Sequence, residues 1–285
     1  MHVQQRELPF DPVGANGAVI SIVAILLVRN EDRFLDRVLR NVSGFCDRLI
    51  VADNGSTDGT PAILEAWQTA GRIERHAVSH PSQSHDLIAG LAGTDTWVFG
   101  VDGDEIYDPQ GLARLRRDLL AGAHADCWRI VGHTLHCEAL DEARHVAAGY
   151  RGPPSRTATK LYNFAALESW IGCGQRLHGG VQRFRTGYSE ARQYRFFEHA
   201  DWAASDFRCL HMAFLARSSR QTAAGARPNV SESWRGGWRA WLRRALAAGL
   251  GRSPASAYKD ASYRQGPLCT EEIRAFFPDA GGSPA

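Results

Sequence analysis

Two stretches decide how this chain is read: VADNGSTDGT at residues 51–60 and VDGDE at residues 101–105. Each closes a short apolar run with a carboxylate, Asp53 after 48–52 and Asp102 after 97–101. Runs of that length bounded by turn formers predict buried strands. Upstream, residues 19–28 predict a first strand, followed by a helix with Phe34, Leu35, Val38, Leu39 and Val42 on one face. Thr60 followed by Pro61 predicts a capped helix burying Ile63, Leu64 and Trp67. A strand at 73–78 and a helix at 84–91 come next, and Asp108 with Pro109 opens a helix lined by Leu112, Leu115 and Leu119. This strand-helix rhythm predicts an α/β fold with a mostly parallel sheet flanked by helices.

Beyond residue 125 the rhythm changes. Strand-like stretches at 127–135, 160–164 and 193–197 alternate with long connections, so the C-terminal half is expected to be α+β. Residues 138–159, which include Gly149, Gly152, Pro153 and Pro154, read as a long functional loop.

Composition narrows the function. Thirty-three Lys and Arg against thirty-one Asp and Glu leave a net charge of +2, which excludes the electrostatic footprint of a general nucleic-acid binder. Six cysteines without a CxxC pair suit a reduced, cytoplasmic protein. The apolar run at 18–28 is too short to span a bilayer and lacks a basic leader. Residues 1–17, with Pro9, Pro12, Gly14 and Asn16, are expected to form a flexible arm. Residues 231–248 set Trp234, Trp238 and Trp241 beside Arg235, Arg239 and Arg243. That pattern reads either as a helix covering the core or as a peripheral contact with the inner face of a membrane.

In open parallel sheets, ligands bind outside the carboxyl ends of the strands. Asp53 and Asp102 share that rim, and Asp53 is suited to accept hydrogen bonds from a base or ribose. Asp102 and Asp104, two apart in an extended segment, point to one side and offer hard oxygens to Mn2+ or Mg2+. Such an ion would neutralise a departing diphosphate, and Gly103 would let the backbone come close to the ligand. Each cluster taken alone also reads as a sharp turn, since Asn-Gly and Asp-Gly pairs are common turn formers.

VRNED at 28–32, VADNGSTDGT and VDGDE, in that order, resemble the successive signatures of the inverting family 2 glycosyltransferases of GT-A fold. The resemblance implies a nucleotide-sugar-binding half at 18–125, an acceptor-binding half at 126–215 and a C-terminal helical extension at 216–285. It implies that Asn30, Glu31, Asp53, Asn54 and Asp102 bind the nucleotide, with Asp53 meeting uracil or ribose. Asp102 and Asp104 would be the DxD pair holding Mn2+ or Mg2+, and His211 resembles the family's late metal-binding histidine. The donor would be a nucleotide diphosphosugar, UDP-linked, and the acceptor a saccharide or lipid-linked hydroxyl.

Where many relatives carry an Arg-Asn pair, this chain reads Ser84-His85-Asp86, which makes His85 the candidate diphosphate donor. Glu168 and His178 are the candidate general bases, with Trp170 beside them to stack on a sugar; Glu198 and Asp201 are further candidates. Some relatives have His-Glu where this chain has His178-Gly179. Two other readings stay open. A sugar nucleotidylyltransferase would show a Gly- and Arg-rich loop after the first strand, where this chain has Arg29-Asn30-Glu31. A non-catalytic nucleotide-sugar or partner-binding module would keep the acidic clusters and lack a base.

Overall fold

The computed structural model describes residues 20–157, 160–221 and 261–278, so the expected arm at 1–17 and helix at 231–248 lie outside the described residues. β1 (Ser21–Val28) runs through the middle of a seven-stranded sheet. Its even-numbered residues Ile22, Ala24, Leu26 and Val28 join a core with Leu35, Val38, Leu39 and Val42 of α1 (Leu35–Ser43). Its odd-numbered Val23 and Ile25 join a second core with Ile88 of α3 (Gln83–Ala89), Tyr162 and Trp170. Burial on both faces explains why this strand is continuously apolar instead of alternating.

β2 (Arg48–Asp53) and β4 (Thr96–Val101) flank β1 in parallel, and β3 (Glu74–Ala77) lies beyond β2. Val28 pairs with Asp53, and Leu26 with Val101, so the ends carrying Asp53 and Asp102 lie on one rim with β1 between them. Two inter-strand spacings separate those ends by about 10 Å. α2 (Thr60–Thr69) follows the first acidic loop, and α4 (Pro109–Leu120) follows β5 (Glu105–Tyr107). Asp108 caps α4 as the sequence predicts, its side chain accepting from the amides of Gln110 and Gly111.

The C-terminal half completes two sheets. β6 (Arg129–Val131), β9 (Lys160–Asn163) and β12 (Gln193–Arg195) extend the main sheet past β4. β9 runs antiparallel to β4 with Lys160 opposite Gly100, which brings Lys160 to the acidic rim. A second sheet has the order β14 (Leu268–Glu272), β8 (Val146–Gly152), β7 (His133–Asp141), β13 (Arg208–His211), β5. A two-stranded ribbon, β10 (Leu167–Gln175) and β11 (His178–Phe184), packs against α3.

Several expectations change. Residues 138–159 are largely the β7–β8 hairpin, not a loop; glycine is needed at 149 because a Cβ there would lie 2.2 Å from the His136 carbonyl oxygen. Thr60 is not the cap of α2: Gly59 holds that position, and the Thr60 hydroxyl accepts the Glu31 amide at 2.8 Å. The described part of the C-terminal extension contributes a strand that pairs with β8, and Ile273 and Phe276 enter the main core. All six cysteines are free thiols. Among the described residues no helix is long and apolar enough to cross a membrane.

Gly132 joins β6 of one sheet to β7 of the other, where a Cβ would lie 2.1 Å from the Phe207 carbonyl oxygen. Gly132→Ala is expected to destabilise the protein by about 2–3 kcal/mol, because backbone has to move to admit the methyl group. Gly44, with φ −76° and open space around it, should accept alanine at no cost. Urea denaturation of the two variants checks the contrast.

Candidate functional site

Three loops meet on the rim and are tied to one another by side chains. The Asn30 amide donates to the Ser56 hydroxyl at 3.0 Å, and the Asn30 side-chain oxygen accepts the Thr57 amide at 2.6 Å. Asn30 holds a positive φ of 56°, a conformation asparagine tolerates better than most residues. Asp53 is buried; one oxygen accepts the Ser56 amide at 3.0 Å and the other pairs with Arg75 at 2.9 Å. Glu31 packs over Gly103, where a Cβ would lie 3.0 Å from the Glu31 Cγ. A side chain at 103 would press on Glu31 and Val28, so Gly103 also serves the packing of the loop after β1.

A segment after β13 closes over these loops. Arg217 Nη1 bonds Asp104 at 2.8 Å and lies 3.5 Å from Glu31. The Ser218 hydroxyl donates to Asp58 at 2.6 Å, and the Ser219 amide donates to Asp32 at 2.6 Å. Three consecutive residues thus reach all three acidic motifs. From the opposite side comes Arg176, in the turn between β10 and β11. Its guanidinium donates to the Val101 carbonyl at 2.5 Å and pairs with Asp102.

Charge is divided unevenly among the carboxylates. Burial alone would raise Asp102, but Arg176, then Lys160, His178 and His211 outweigh it and hold that carboxyl well below the usual range. Glu105 goes the other way: burial first, then the charge of Asp102, pushes it up to about 8. Tyr107 donates to Glu105 Oε2 at 2.8 Å, while Oε1 is buried with no hydrogen-bond partner among the described residues. Lys160 Nζ and His178 Nε2 share a hydrogen bond at 2.8 Å; burial lowers Lys160 to about 8, and burial with the Lys160 and Arg176 charges lowers His178 to about 3.

The predicted site residues divide into those at the rim and those away from it. Asn30, Glu31, Asp53, Asp102, Asp104, His178 and His211 come together there, His211 because β13 pairs with β5 and sets it opposite Glu105. Asn54 is a buried tie between strands, its side-chain nitrogen donating to the Val78 carbonyl. His85 is not available as a diphosphate donor. It is buried, with Nδ1 2.5 Å from the Arg176 carbonyl and Nε2 2.7 Å from the Trp170 carbonyl. Its ring fixes the backbone of Arg176 instead.

Glu168 sits at the far end of β10, where Leu167 lies beside Gly93 before β4 begins, with the length of the strand between it and the rim. Trp170 is buried among Trp128, Tyr162 and Phe164 and cannot stack on a sugar. Glu198 is exposed and paired with Arg195, and Asp201 acts electrostatically on His133.

Sequence reasoning missed Arg176, Arg217 and Lys160. Arg176 had one signal, a long polar residue between two strand-like runs. ARSSR at 216–220 had another, a basic and hydroxyl-rich stretch directly after the strand that carries His211.

The DxD resemblance implies Mn2+ or Mg2+, and the donor set does not fit such an ion. Asp102 already carries Arg176 and Asp104 carries Arg217, while His211 Nε2 stands 3.7 Å from Asp104 and its Nδ1 faces His136 Nδ1 at 2.9 Å. Among the described residues no three His, Cys, Asp or Glu side chains converge as ligands. Glu31, Asp102 and Asp104 are balanced by Arg176, Arg217 and Lys160, which leaves little net negative field to draw in a dication.

Residues 24–164 match the profile of the family described as glycosyl transferase family 2. The lipopolysaccharide core biosynthesis glycosyltransferase LpsC of Rhizobium meliloti (strain 1021) is 26% identical over 47% of this chain and 52% of its own length. This chain therefore spans about half of that curated relative. Among solved structures, S. aureus TarS in complex with UDP-GlcNAc aligns at TM-score 0.36 and 16% identity, over 53% of this chain and 48% of that one. Glucosyl-3-phosphoglycerate synthase from Mycobacterium tuberculosis, in complex with Mn2+, UDP and glucosyl-3-phosphoglycerate, aligns at TM-score 0.31 and 23% identity over 40% and 44%.

Glu105 makes stability depend on pH. The native carboxyl keeps its proton up to about 8, whereas the unfolded chain releases it near the ordinary 4.5. Its contribution to stability is complete below about 4.5 and is lost as pH rises through about 8. Melting temperatures measured across that window should fall more steeply for the native protein than for Glu105→Gln; parallel curves would contradict the assignment.

Proposed function

The chain belongs to glycosyl transferase family 2, and from that premise we propose that it moves a sugar from a UDP-linked diphosphosugar to the hydroxyl of a saccharide or lipid-linked acceptor, with inversion. The observation that carries this reading is the pair of strand ends bearing Asp53 and Asp102 on either side of β1. A nucleotide lying across that rim would set its base and ribose at Asp53 and its diphosphate at Asp102. Each Asp53 oxygen already accepts one hydrogen bond, from Ser56 or Arg75, and keeps a second lone pair for the ligand. Asn30 and Glu31 border the same space. The acceptor class draws support from the relative named for lipopolysaccharide core biosynthesis.

In the proposed step the acceptor oxygen forms a bond to the anomeric carbon as the sugar–diphosphate bond breaks, and the bonding electron pair leaves with the diphosphate. The acceptor proton goes to His178, the one of the four candidate bases in the electrostatic neighbourhood of Asp102. Burial and its cationic neighbours keep the ring neutral, as a proton acceptor must be. Nδ1 takes the proton when Lys160, lowered to about 8, is the neutral amine and accepts from Nε2–H. Asp104 and His211 belong to the diphosphate end of the site.

A second reading, a nucleotide-sugar-binding module without transfer, is favoured by one observation. Exposed Gly179 follows His178 where some relatives carry a glutamate, and Glu168 is too far along β10 to replace it. Release of UDP from UDP-sugars above the hydrolysis background, with lipopolysaccharide-core saccharides present, separates transfer from binding.

Thermal-shift measurements with nucleoside diphosphates should show UDP raising the melting temperature. Asp53→Ala should weaken UDP and uridine alike by roughly 10- to 100-fold, the effect of losing a hydrogen bond to a charged group. If no nucleotide shifts the melting curve, the reading fails.

A further inference from the structure

We infer that Arg176 and Arg217 bind the donor's diphosphate directly, two largely buried guanidiniums taking the leaving group's charge in place of a divalent cation. The inference rests on the nucleotide-diphosphosugar reading above and adds the groups that meet the phosphates. Each arginine is paired with one carboxylate of the DxD motif, Arg176 with Asp102 and Arg217 with Asp104. They approach from different elements, so a diphosphate beside Asp102 would lie between two forked donors. A planar guanidinium matches phosphate oxygens in pairs, which a single ammonium does not do.

Arg176 is held in a conformation that has to be enforced. Its φ of 31° lies in the left-handed region that non-glycine residues rarely adopt. Two residues of α3 enforce it: the Ser84 hydroxyl accepts the Arg176 amide at 2.9 Å, and His85 Nδ1 bonds the Arg176 carbonyl at 2.5 Å. His85 is braced in turn on the Trp170 carbonyl. Backbone strain over-determined by its surroundings concentrates at working sites. The residue is about 5% exposed, and its buried Nε has no hydrogen-bond partner among the described residues. That is a charged donor left unsatisfied next to the carboxylate where the diphosphate would lie.

Arg217 is fixed by different means. The Arg33 amide donates to its carbonyl at 3.1 Å, and Ser218 and Ser219 anchor the next two residues to Asp58 and Asp32. Its guanidinium sits between Glu31 and Asp104, the second carboxylate of the DxD pair. With no ligand bound, the carboxylates offset the cost of burying both cations. As the sugar–oxygen bond breaks, the electron pair left on the diphosphate oxygen meets positive charge already in place, so little reorganisation is needed at that moment.

Calorimetric titration of the whole chain with UDP and with uridine, each with chelator and with Mn2+, tests this. UDP is expected to bind with chelator present and more tightly than uridine. Arg217→Gln should weaken UDP by roughly 10-fold or more and leave uridine unchanged, with Arg217→Lys recovering part of the loss. Arg176→Lys, which keeps the buried charge, should likewise weaken UDP alone. The inference is overturned if UDP binds only with Mn2+ and Arg217→Gln strengthens it, since Arg217 would then merely occupy the cation's place. It is also overturned if these variants fold with unchanged melting curves and bind UDP as the native chain does. If neither UDP nor uridine binds under any condition, the nucleotide reading itself falls, and this inference with it.

Discussion

Four carboxylates, Glu31, Asp102, Asp104 and Glu105, crowd one rim of the main sheet, and the rest of the site follows from the need to keep them there. Removing charge from water without a partner costs several kcal/mol per group, and breaking one partner out of a buried pair costs about 3–5 kcal/mol. The fold meets that cost in two ways. Glu105 gives up its charge and stays protonated near neutrality, while the other three are matched by Arg176, Arg217 and Lys160. The balance is local and nearly exact in sign, which makes the site responsive to a newly arriving anion.

That balance also organises the architecture. Arg176 reaches Asp102 because β10 and β11 form a ribbon whose turn is clamped onto α3, and Ser84 and His85 are the clamp. Arg217 reaches Asp104 because β13 lies in the second sheet between β7 and β5, so the chain leaves that strand beside the acidic loops. Ser218 and Ser219 then bind Asp58 and Asp32, whose carboxylates also hold the Thr60 and Gly59 amides. The nucleotide side of the rim is thus tied to the segment that carries one of its cations.

Much of the fold was legible because its signals are local. Continuous apolar runs marked β1, β2 and β4, helical spacing marked α1 and α4, and Asp108 with Pro109 marked a real cap. Asp53 and Asp102 were legible because each directly ends a strand, and Asp104 by its spacing from Asp102. Their partners were not: Arg176 lies 74 residues from Asp102 and Arg217 113 residues from Asp104, and only the topology brings them together. The same limit misdirected Glu168, Trp170 and His85. Their neighbours in sequence suggest an acceptor or phosphate site, but β10 turns Trp170 into a core and carries Glu168 away from the rim. His85 kept its connection to the site through the backbone of Arg176, a role that composition cannot disclose.

A crystal structure with UDP bound in the presence of chelator tests the central claim most directly. The account predicts the uracil and ribose against Asp53, and the diphosphate between the Arg176 and Arg217 guanidiniums, with both arginines turned from Asp102 and Asp104 toward its oxygens. A diphosphate lying away from both arginines would contradict it, as would nucleotide density that appears only when Mn2+ sits on Asp104 with Arg217 displaced.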